Sequence, residues 1–301
     1  MKPKSVMIAV RANFLLLSVA LAVLGSGLAW YEHQKFGGSF NLGFAFLAGF
    51  GLMLAHVSVN VFNDYFDYRS TLDYKTPRTP FSGGSKALID GLVTGRQALW
   101  LAIGSLLIAA AIGIFFTVVE GWLLMPLLLV SAVIVLVYTP FILKTSYPEW
   151  AAGLGLGILP ILGTYFAQTG QYTTTALIAS VPSGILVHNL LLLNEFPDAE
   201  ADKTVMRRTL PIVIGKKNAA IVYSALTVIV YLWIIGAVVA RSMPPFTLIG
   251  LLTLPLAYKA ITGSFRFNDM SKLVPAMANN VFVVLLTQLL VGIGFILGGV
   301  F

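Results

Sequence analysis

The stretch Asn60–Asp73, NVFNDYFDYRSTLD, attaches a set of polar side chains to the end of a long apolar segment. The apolar part, about 42–62, is long enough to cross a bilayer as a helix. Four polar residues at the spacing i, i+3, i+4 and i+7 share one face of that helix: Asn60, Asn63, Asp64 and Asp67. Carboxylates at the end of a membrane helix need a partner, so the stretch predicts a membrane protein with a functional polar site.

A second stretch, Asn194–Asp202 (NEFPDAEAD), repeats this arrangement after another apolar segment. Its polar residues recur every four positions, at Asn194, Asp198 and Asp202. Glu195 and Glu200 are interpreted as facing solvent. Two facing acidic clusters repel each other unless cations lie between them. We do not expect a side chain alone to supply that positive charge. Hard oxygen ligands of this kind suit Mg²⁺ that carries a phosphate-bearing substrate. The predicted catalytic and metal-binding residues are Asp64, Asp67, Asp198 and Asp202.

Composition places the whole chain in a membrane. Of 301 residues, 58% are hydrophobic and 10% are charged, well below the charged share of soluble domains. The absence of cysteine excludes disulfides and thiolate metal sites. The net charge of +7 does not indicate nucleic acid, because the basic residues follow the loops between apolar segments.

Apolar segments of about the length of a membrane helix predict an all-α, polytopic fold with nine transmembrane helices. We expect a single membrane domain, 1–301. The segments lie near 13–31, 42–62, 97–118, 122–142, 150–168, 174–194, 218–240, 245–263 and 275–300.

The basic residues orient these helices. We expect the protein in the cell inner membrane, with its N-terminus in the cytoplasm. All but two of the 19 Lys and Arg residues then fall on the cytoplasmic side, and the exceptions are Lys35 and Arg241. This puts the C-terminus outside and both acidic clusters at the cytoplasmic face. The clusters are expected in the two longest loops, about 64–96 and 195–217.

Several further polar residues are candidates for substrate binding, because a metal-bound diphosphate leaves phosphate oxygens open to charged donors. The basic candidates equally obey the positive-inside rule, and Tyr138 equally suits a membrane interface or an acceptor site. The glycine-rich turn RTPFSGGS is expected to bring backbone N–H groups back over the site, whereas His56 and His188 are interpreted as packing residues. The candidate set is Asn60, Asn63, Asp73, Lys75, Arg78, Tyr138, Lys144, Asn194, Lys203 and Arg208, with Arg11 as a further basic candidate.

Taken together, the motifs NDYFDYRSTLD, RTPFSGG, YTPFILKTSYPEWAAGLGLG, GTYFAQTG and NEFPDAEADKTVMRRTLPIVIG resemble those of the UbiA-type membrane prenyltransferases over nearly the whole chain. Within that family the chain looks most like the 1,4-dihydroxy-2-naphthoate polyprenyltransferases. It departs from them at Glu195–Pro197 and at Met206–Arg207.

The resemblance implies helices around a central cavity, with two aspartate-rich motifs that hold Mg²⁺ and an isoprenyl diphosphate. It further implies prenylation of an aromatic acceptor in menaquinone biosynthesis. Other acceptors remain open: 4-hydroxybenzoate, geranylgeranylglyceryl phosphate, haem or chlorophyllide. A cation or phosphate transporter is the alternative from another class, although transporters place ionisable residues near the bilayer midplane rather than at helix ends.

Overall fold

The computed structural model describes residues 2–301, which form helices and no strands. Eight of these helices are long and apolar enough to cross a bilayer, and the fourth in chain order is a shorter apolar helix. The predicted all-α, polytopic fold is therefore confirmed. The helices are α1 (Ala12–Phe36), α2 (Leu42–Arg69), α3 (Gly95–Val119), α4 (Trp122–Val137), α5 (Glu149–Thr169), α6 (Thr174–Lys203), α7 (Gly215–Val239), α8 (Pro245–Ser264) and α9 (Met270–Val300).

Two helices run further than their apolar segments. α2 continues to Arg69 and α6 to Lys203, so both acidic clusters lie on the last turns of helices and not in loops. The expected loops 64–96 and 195–217 therefore began too early in the sequence, because helices occupy their first residues. The helices continue because their backbone hydrogen bonds do not require apolar side chains, and because Arg11 and Arg207 pair with Asp64, Asp67 and Asp202 on these turns. Apolarity therefore does not mark the helix ends.

A cavity of about 480 Å³ opens between the first six helices. Its lining comes from α1 to α6 and from the segments around Asp73, Gly83 and Arg207. Of the other helices, α7 packs on α6, α9 packs on α1, and α8 packs on α9. α7 and α9 thus pack against the outside of α6 and α1, and none of the three C-terminal helices lines the cavity.

Glycines bring α5 and α6 into close contact. A Cβ atom added at Gly157 would lie 2.6 Å from the Gly184 Cα, and one at Gly153 would lie 2.6 Å from the Gly184 carbonyl oxygen. Small residues allow helix backbones to approach in this way. α5 also contains a π-helical turn, Leu154–Ile158, beside this contact. The close approach holds the first turns of α5 against the middle of α6.

Short segments cover the polar end of the cavity. The helix Pro3–Ala9 is followed by Val10, whose carbonyl oxygen accepts a hydrogen bond from Asn60 at 3.2 Å. After α6, the Leu210 N–H donates to Glu149 at 2.6 Å, at the start of the helix Leu210–Val213. These contacts join the N-terminal segment and the loop after α6 to the same site.

Candidate active site

The first acidic cluster occupies the last turns of α2. Asn60, Asn63 and Asp67 line the cavity. Asp64 is buried and forms an ion pair with Arg11, which also donates to the Asn63 side chain at 3.2 Å. The helix therefore presents one polar face, as its residue spacing predicts, with Asp64 bound to the N-terminal segment.

The second cluster lies on the last turns of α6, where Asn194, Asp198 and Asp202 all line the cavity. The Gly83 N–H donates to Asp198 Oδ2 at 3.3 Å. The other oxygen of Asp198, Oδ1, and the side-chain oxygen of Asn194 are buried and have no hydrogen-bond partner among residues 2–301. Because buried oxygens are normally paired, these two are available to a ligand.

A guanidinium group joins the two clusters. Arg207 binds Asp67 on α2 and, at 3.0 Å, Asp202 on α6. The sequence predicted cations between the clusters and did not expect a side chain alone to fill that role. In this structure the cation is an arginine, whose planar fork matches two carboxylates and compensates their burial. Sequence reasoning did not single out Arg207, because nothing distinguishes it from the neighbouring Arg208 before the loop is folded.

The glycine-rich turn lies over both clusters, as the sequence predicted. While Gly83 donates to Asp198, the Ser85 N–H donates to Asp64 at 3.3 Å. Gly83 and Gly84 have φ of +82° and +71°, and a Cβ at Gly84 would lie 2.8 Å from Asp73 Oδ1. Only glycine combines this backbone with so close an approach. The turn therefore links the two clusters, because each N–H group donates to a carboxylate of a different cluster.

Asp73 is the third carboxylate beside the turn. It is buried and lines the cavity. Burial, together with the negative charges of Asp67 and Asp64, raises the pKa of Asp73 to about 7. Its side chain therefore holds or releases a proton near neutral pH, depending on the cations around it.

The donor set at this end of the cavity fits Mg²⁺ that is shared with a substrate. Carboxylate and amide oxygens are the hard ligands this ion prefers, and the unpaired oxygens of Asp198 and Asn194 face the cavity. In the described part of the chain, no three His, Asp or Glu side chains converge closely enough to hold a metal by themselves. Mg²⁺ is commonly held by one or two carboxylates plus substrate phosphates.

The structure does not bring most of the predicted basic residues to the cavity. Lys75 donates to Thr204 at 3.4 Å on the surface, and Lys203 pairs with Glu200. Arg78 is exposed and lines a separate, smaller cavity with Lys4 and Arg11. Lys144 and Arg208 are also exposed. The cavity is lined by two arginines, Arg11 and Arg207.

The remaining aromatic and histidine side chains of this region either line the cavity or form hydrogen bonds with each other and with neighbouring residues. Tyr138 lines the cavity, whereas Tyr147 bonds His188 at 2.9 Å. His56 bonds Ser18 at 2.9 Å. Both histidines are buried and hydrogen-bonded, which agrees with the packing role that the sequence indicated.

Glu195 contradicts its interpretation as a solvent-facing residue. Its relative exposure is 5%, and it lines the cavity, while Glu200 is exposed as expected. The reason is helical phase, because α6 continues through this region and turns Glu195 inward. Glu195 is one residue outside the i, i+4 pattern, so its position in the sequence did not indicate that it is buried.

A buried pair of acidic clusters at one end of an apolar cavity matches a known family. The model of the UbiA prenyltransferase family matches residues 18–286. The chain belongs to the UbiA prenyltransferase family. It is therefore an integral membrane prenyltransferase, and the transport alternative is not supported.

Individual members of the UbiA family resemble the chain over much of its length. The 1,4-dihydroxy-2-naphthoate octaprenyltransferase of Bacillus subtilis is 30% identical over 224 residues, 73% of this chain and 70% of that protein. The digeranylgeranylglyceryl phosphate synthase of Pyrococcus furiosus is 32% identical over 182 residues, 56% of this chain and 57% of that protein. A UbiA homolog from Archaeoglobus fulgidus, solved bound to DMAPP and Mg²⁺, has a TM-score of 0.64 at 17% identity and covers 97% of this chain and 99% of its own.

Proposed function

We propose that this chain transfers a polyprenyl group from an isoprenyl diphosphate to 1,4-dihydroxy-2-naphthoate, in a Mg²⁺-dependent step of menaquinone biosynthesis. The observation that carries the reaction class is the meeting of two acidic clusters and two backbone N–H donors at the polar end of an otherwise apolar cavity. The relative from Bacillus subtilis supports the choice of acceptor.

The polar end provides the diphosphate site of this proposal. Asp64, Asp67, Asp198 and Asp202 would hold the Mg²⁺ that accompanies the diphosphate. When bound, Mg²⁺ neutralises negative charge that develops on the leaving diphosphate. The guanidinium of Arg207 adds fixed positive charge at the same place, and preorganised positive charge of this kind stabilises a leaving anion.

The rest of the cavity accommodates the hydrocarbon. Leucine, isoleucine, alanine and glycine residues from α2 to α6 line the cavity beyond its polar end. Departure of the diphosphate leaves an allylic cation, and the exclusion of water lets an aromatic ring capture this cation first. The prenyl tail extends among these apolar side chains toward the lipid.

The distribution of Lys and Arg supports a cytoplasmic active site and N-terminus, with the C-terminus outside an inner membrane. Arg11, Arg69, Lys86 and Arg207 all lie at the end of the molecule that carries the acidic clusters, whereas Lys35 lies at the far end of α1. That the chain is one domain stays a prediction.

The experiment that tests the proposal uses the purified full-length protein in lipid nanodiscs. Prenyl transfer from a radiolabelled polyprenyl diphosphate is measured with each acceptor in turn, with Mg²⁺ and with EDTA. Transfer to 1,4-dihydroxy-2-naphthoate that EDTA abolishes supports the proposal. Transfer to 4-hydroxybenzoate, geranylgeranylglyceryl phosphate, haem or chlorophyllide alone rejects the acceptor but retains the class, and activity in EDTA rejects the role of the metal.

A second candidate acceptor is geranylgeranylglyceryl phosphate, which the identity to the Pyrococcus furiosus synthase favours. It would bring a second phosphate to the protein. The small cavity lined by Lys4, Arg11 and Arg78 lies beside the 79–85 turn and offers positive charge for it. The acceptor comparison above separates the two candidates directly.

A further inference from the structure

A second cavity lies beside the candidate active site and is lined by the N-terminal helix Pro3–Ala9 and the segment 78–85. Its volume is about 380 Å³, within the range of about 300–1,000 Å³ that small-molecule sites occupy. Arg11, Phe14 and Phe81 line both cavities, so the two are neighbours. The second cavity is large enough to hold a ligand of its own.

The charge of the second cavity is positive. Lys4, Arg11 and Arg78 line it, and among the described residues no Asp or Glu belongs to its lining. Arg11 is paired with Asp64, but Lys4 and Arg78 take part in none of the ion pairs of residues 2–301. Two basic side chains are therefore available to an anionic ligand, and phosphate oxygens are strong acceptors for them.

Apolar side chains form much of the rest of the wall. Met7 and Ile8 come from the N-terminal helix, Phe14 from the start of α1, and Pro80 and Phe81 from the turn. Met7 is 61% exposed. Because the apolar part of α1 begins beside Phe14, the cavity lies at the level where the membrane begins. Basic and exposed apolar side chains at that level are the combination that binds lipid headgroups.

The path of the N-terminal segment brings the two basic residues to one cavity. Ser5 and Ala9 bury one face of the short helix, whereas Lys4 is exposed. At Arg11 the backbone has φ of +53°, in the left-handed region, so the short helix does not continue along the axis of α1. As a result Lys4 and Arg78, which lie far apart in the sequence, line the same space.

We propose that the second cavity binds the phosphate headgroup of an anionic membrane lipid. Lys4 and Arg78 bind the phosphate, and the glycerol and first acyl carbons lie against Met7, Ile8 and Phe14. A soluble phosphate ion would leave these apolar side chains in water, whereas a lipid covers them. Charge and apolar surface together therefore favour a lipid over a free anion.

A lipid in this cavity also contacts the turn that covers the acidic clusters. The 79–85 turn contributes to the wall of the second cavity, and its N–H groups at Gly83 and Ser85 donate to Asp198 and Asp64. A phosphate held by both Lys4 and Arg78 links the N-terminal helix to this turn. The lipid thus steadies the turn over the candidate active site.

The test measures lipid binding with no substrate present, so its outcome does not depend on the proposed function. Fluorescently labelled phosphatidylglycerol is titrated with the purified full-length protein in detergent, and binding is followed by fluorescence anisotropy. Phosphatidylcholine with the same acyl chains and label is the comparison without net charge. Lys4→Gln and Arg78→Gln are compared with Lys217→Gln and Arg266→Gln, which remove exposed basic residues at the same end of the molecule but outside the cavity.

We expect wild type to bind phosphatidylglycerol about 10-fold or more tightly than phosphatidylcholine, because each basic residue near an anionic headgroup contributes about fivefold in affinity. Lys4→Gln and Arg78→Gln each lower the affinity for phosphatidylglycerol about fivefold. Both leave the affinity for phosphatidylcholine and the melting temperature unchanged, since neither side chain is buried. The two control variants bind as wild type does.

The effect on the turn is measured by hydrogen exchange in nanodiscs. Phosphatidylglycerol in place of phosphatidylcholine should slow exchange of the amides of residues 79–85. Lys4→Gln removes that difference, and Lys217→Gln retains it. Equal exchange of wild type in the two lipids would reject the effect of the lipid on the turn.

Three results of the binding measurement would overturn the lipid site. Equal affinity of wild type for the two lipids is the first, and an equal loss of affinity in the control variants is the second, because it indicates general surface charge. The third is displacement of the labelled lipid by inorganic phosphate as effectively as by unlabelled phosphatidylglycerol, which would identify a site for free anions. Displacement by geranylgeranylglyceryl phosphate about 10-fold more effective than by unlabelled phosphatidylglycerol would instead assign the cavity to that acceptor, against the proposal.

Discussion

Asp67 and Asp202, from opposite halves of the chain, bind the same guanidinium group. Arg207 lies between them, and all three side chains are largely buried. A buried pair of like charges is stable only with a cation between them. The contact therefore couples the end of α2 to the end of α6 and fixes the spacing of the two acidic clusters.

Replacement of this cation is expected to destabilise the protein. Arg207→Ala leaves Asp67 and Asp202 without compensation, and the loss of one partner of a buried ion pair costs about 3–5 kcal/mol. The measurement is thermal unfolding in detergent, with and without Mg²⁺ and a prenyl diphosphate. Arg208→Ala, at the adjacent exposed position, is the control. Equal melting temperatures for both variants would show that the bridge has no role in stability.

Removal of a carboxylate from the second cluster is expected to stop the reaction. In Asp198→Ala, prenyl transfer at saturating Mg²⁺ falls by about 100-fold or more, because charge stabilisation of the leaving group is lost. Asp64→Ala should behave in the same way. Glu200→Ala, also on α6 but exposed, retains activity. Full activity in Asp198→Ala would remove the metal-binding role of this residue.

The glycine-rich turn allows a comparison between two positions with similar backbones. Gly84 and Gly91 have φ of +71° and +67°, but only at Gly84 would a Cβ meet a neighbour, Asp73 Oδ1 at 2.8 Å. We expect Gly84→Ala to raise KM for the prenyl diphosphate, because the turn is displaced from Asp198 and Asp64. Gly91→Ala carries the same backbone strain and should leave KM unchanged. Similar kinetics in the two variants would contradict a role for the turn in diphosphate binding.

Arg11 and Arg78 should differ in their effect on prenyl diphosphate binding. Arg11 lines the main cavity and binds Asp64, whereas Arg78 is exposed. We expect Arg11→Ala to weaken prenyl diphosphate binding by about 10-fold or more, the size of a charge-assisted hydrogen bond. Arg78→Ala should weaken it less and leave acceptor KM unchanged. A larger diphosphate effect for Arg78→Ala, measured by steady-state kinetics, would reverse this assignment.

The orientation in the membrane can be measured directly, because the chain has no cysteine. Lys75→Cys is expected to react with an impermeant maleimide only when the cytoplasmic side is exposed, and Arg241→Cys only from the outside. Inside-out and right-side-out vesicles supply the two conditions. Labelling of both positions from one side would contradict the proposed topology.

Much of the fold is local and follows from composition. Apolar segments long enough to cross a bilayer located the nine long apolar helices of residues 2–301, since backbone polar groups in lipid must be satisfied within the helix. The helix ends at Arg69 and Lys203 were not predictable from apolarity, because arginines from elsewhere in the chain pair with carboxylates on these last polar turns. The same limitation hid Glu195, whose burial depends on how far α6 continues.

By itself, the sequence determined that the protein is an all-α membrane protein and that carboxylates gather on the faces of two helices, because period and hydropathy are properties of each segment. Only the tertiary structure decided which residues meet those carboxylates. It placed Arg207 rather than Arg208, and Arg11 rather than Arg78, beside the carboxylates, and it buried Glu195 in the cavity wall. Such choices depend on the phase of a helix and the path of a loop, and both are set by packing between segments that lie far apart in the chain.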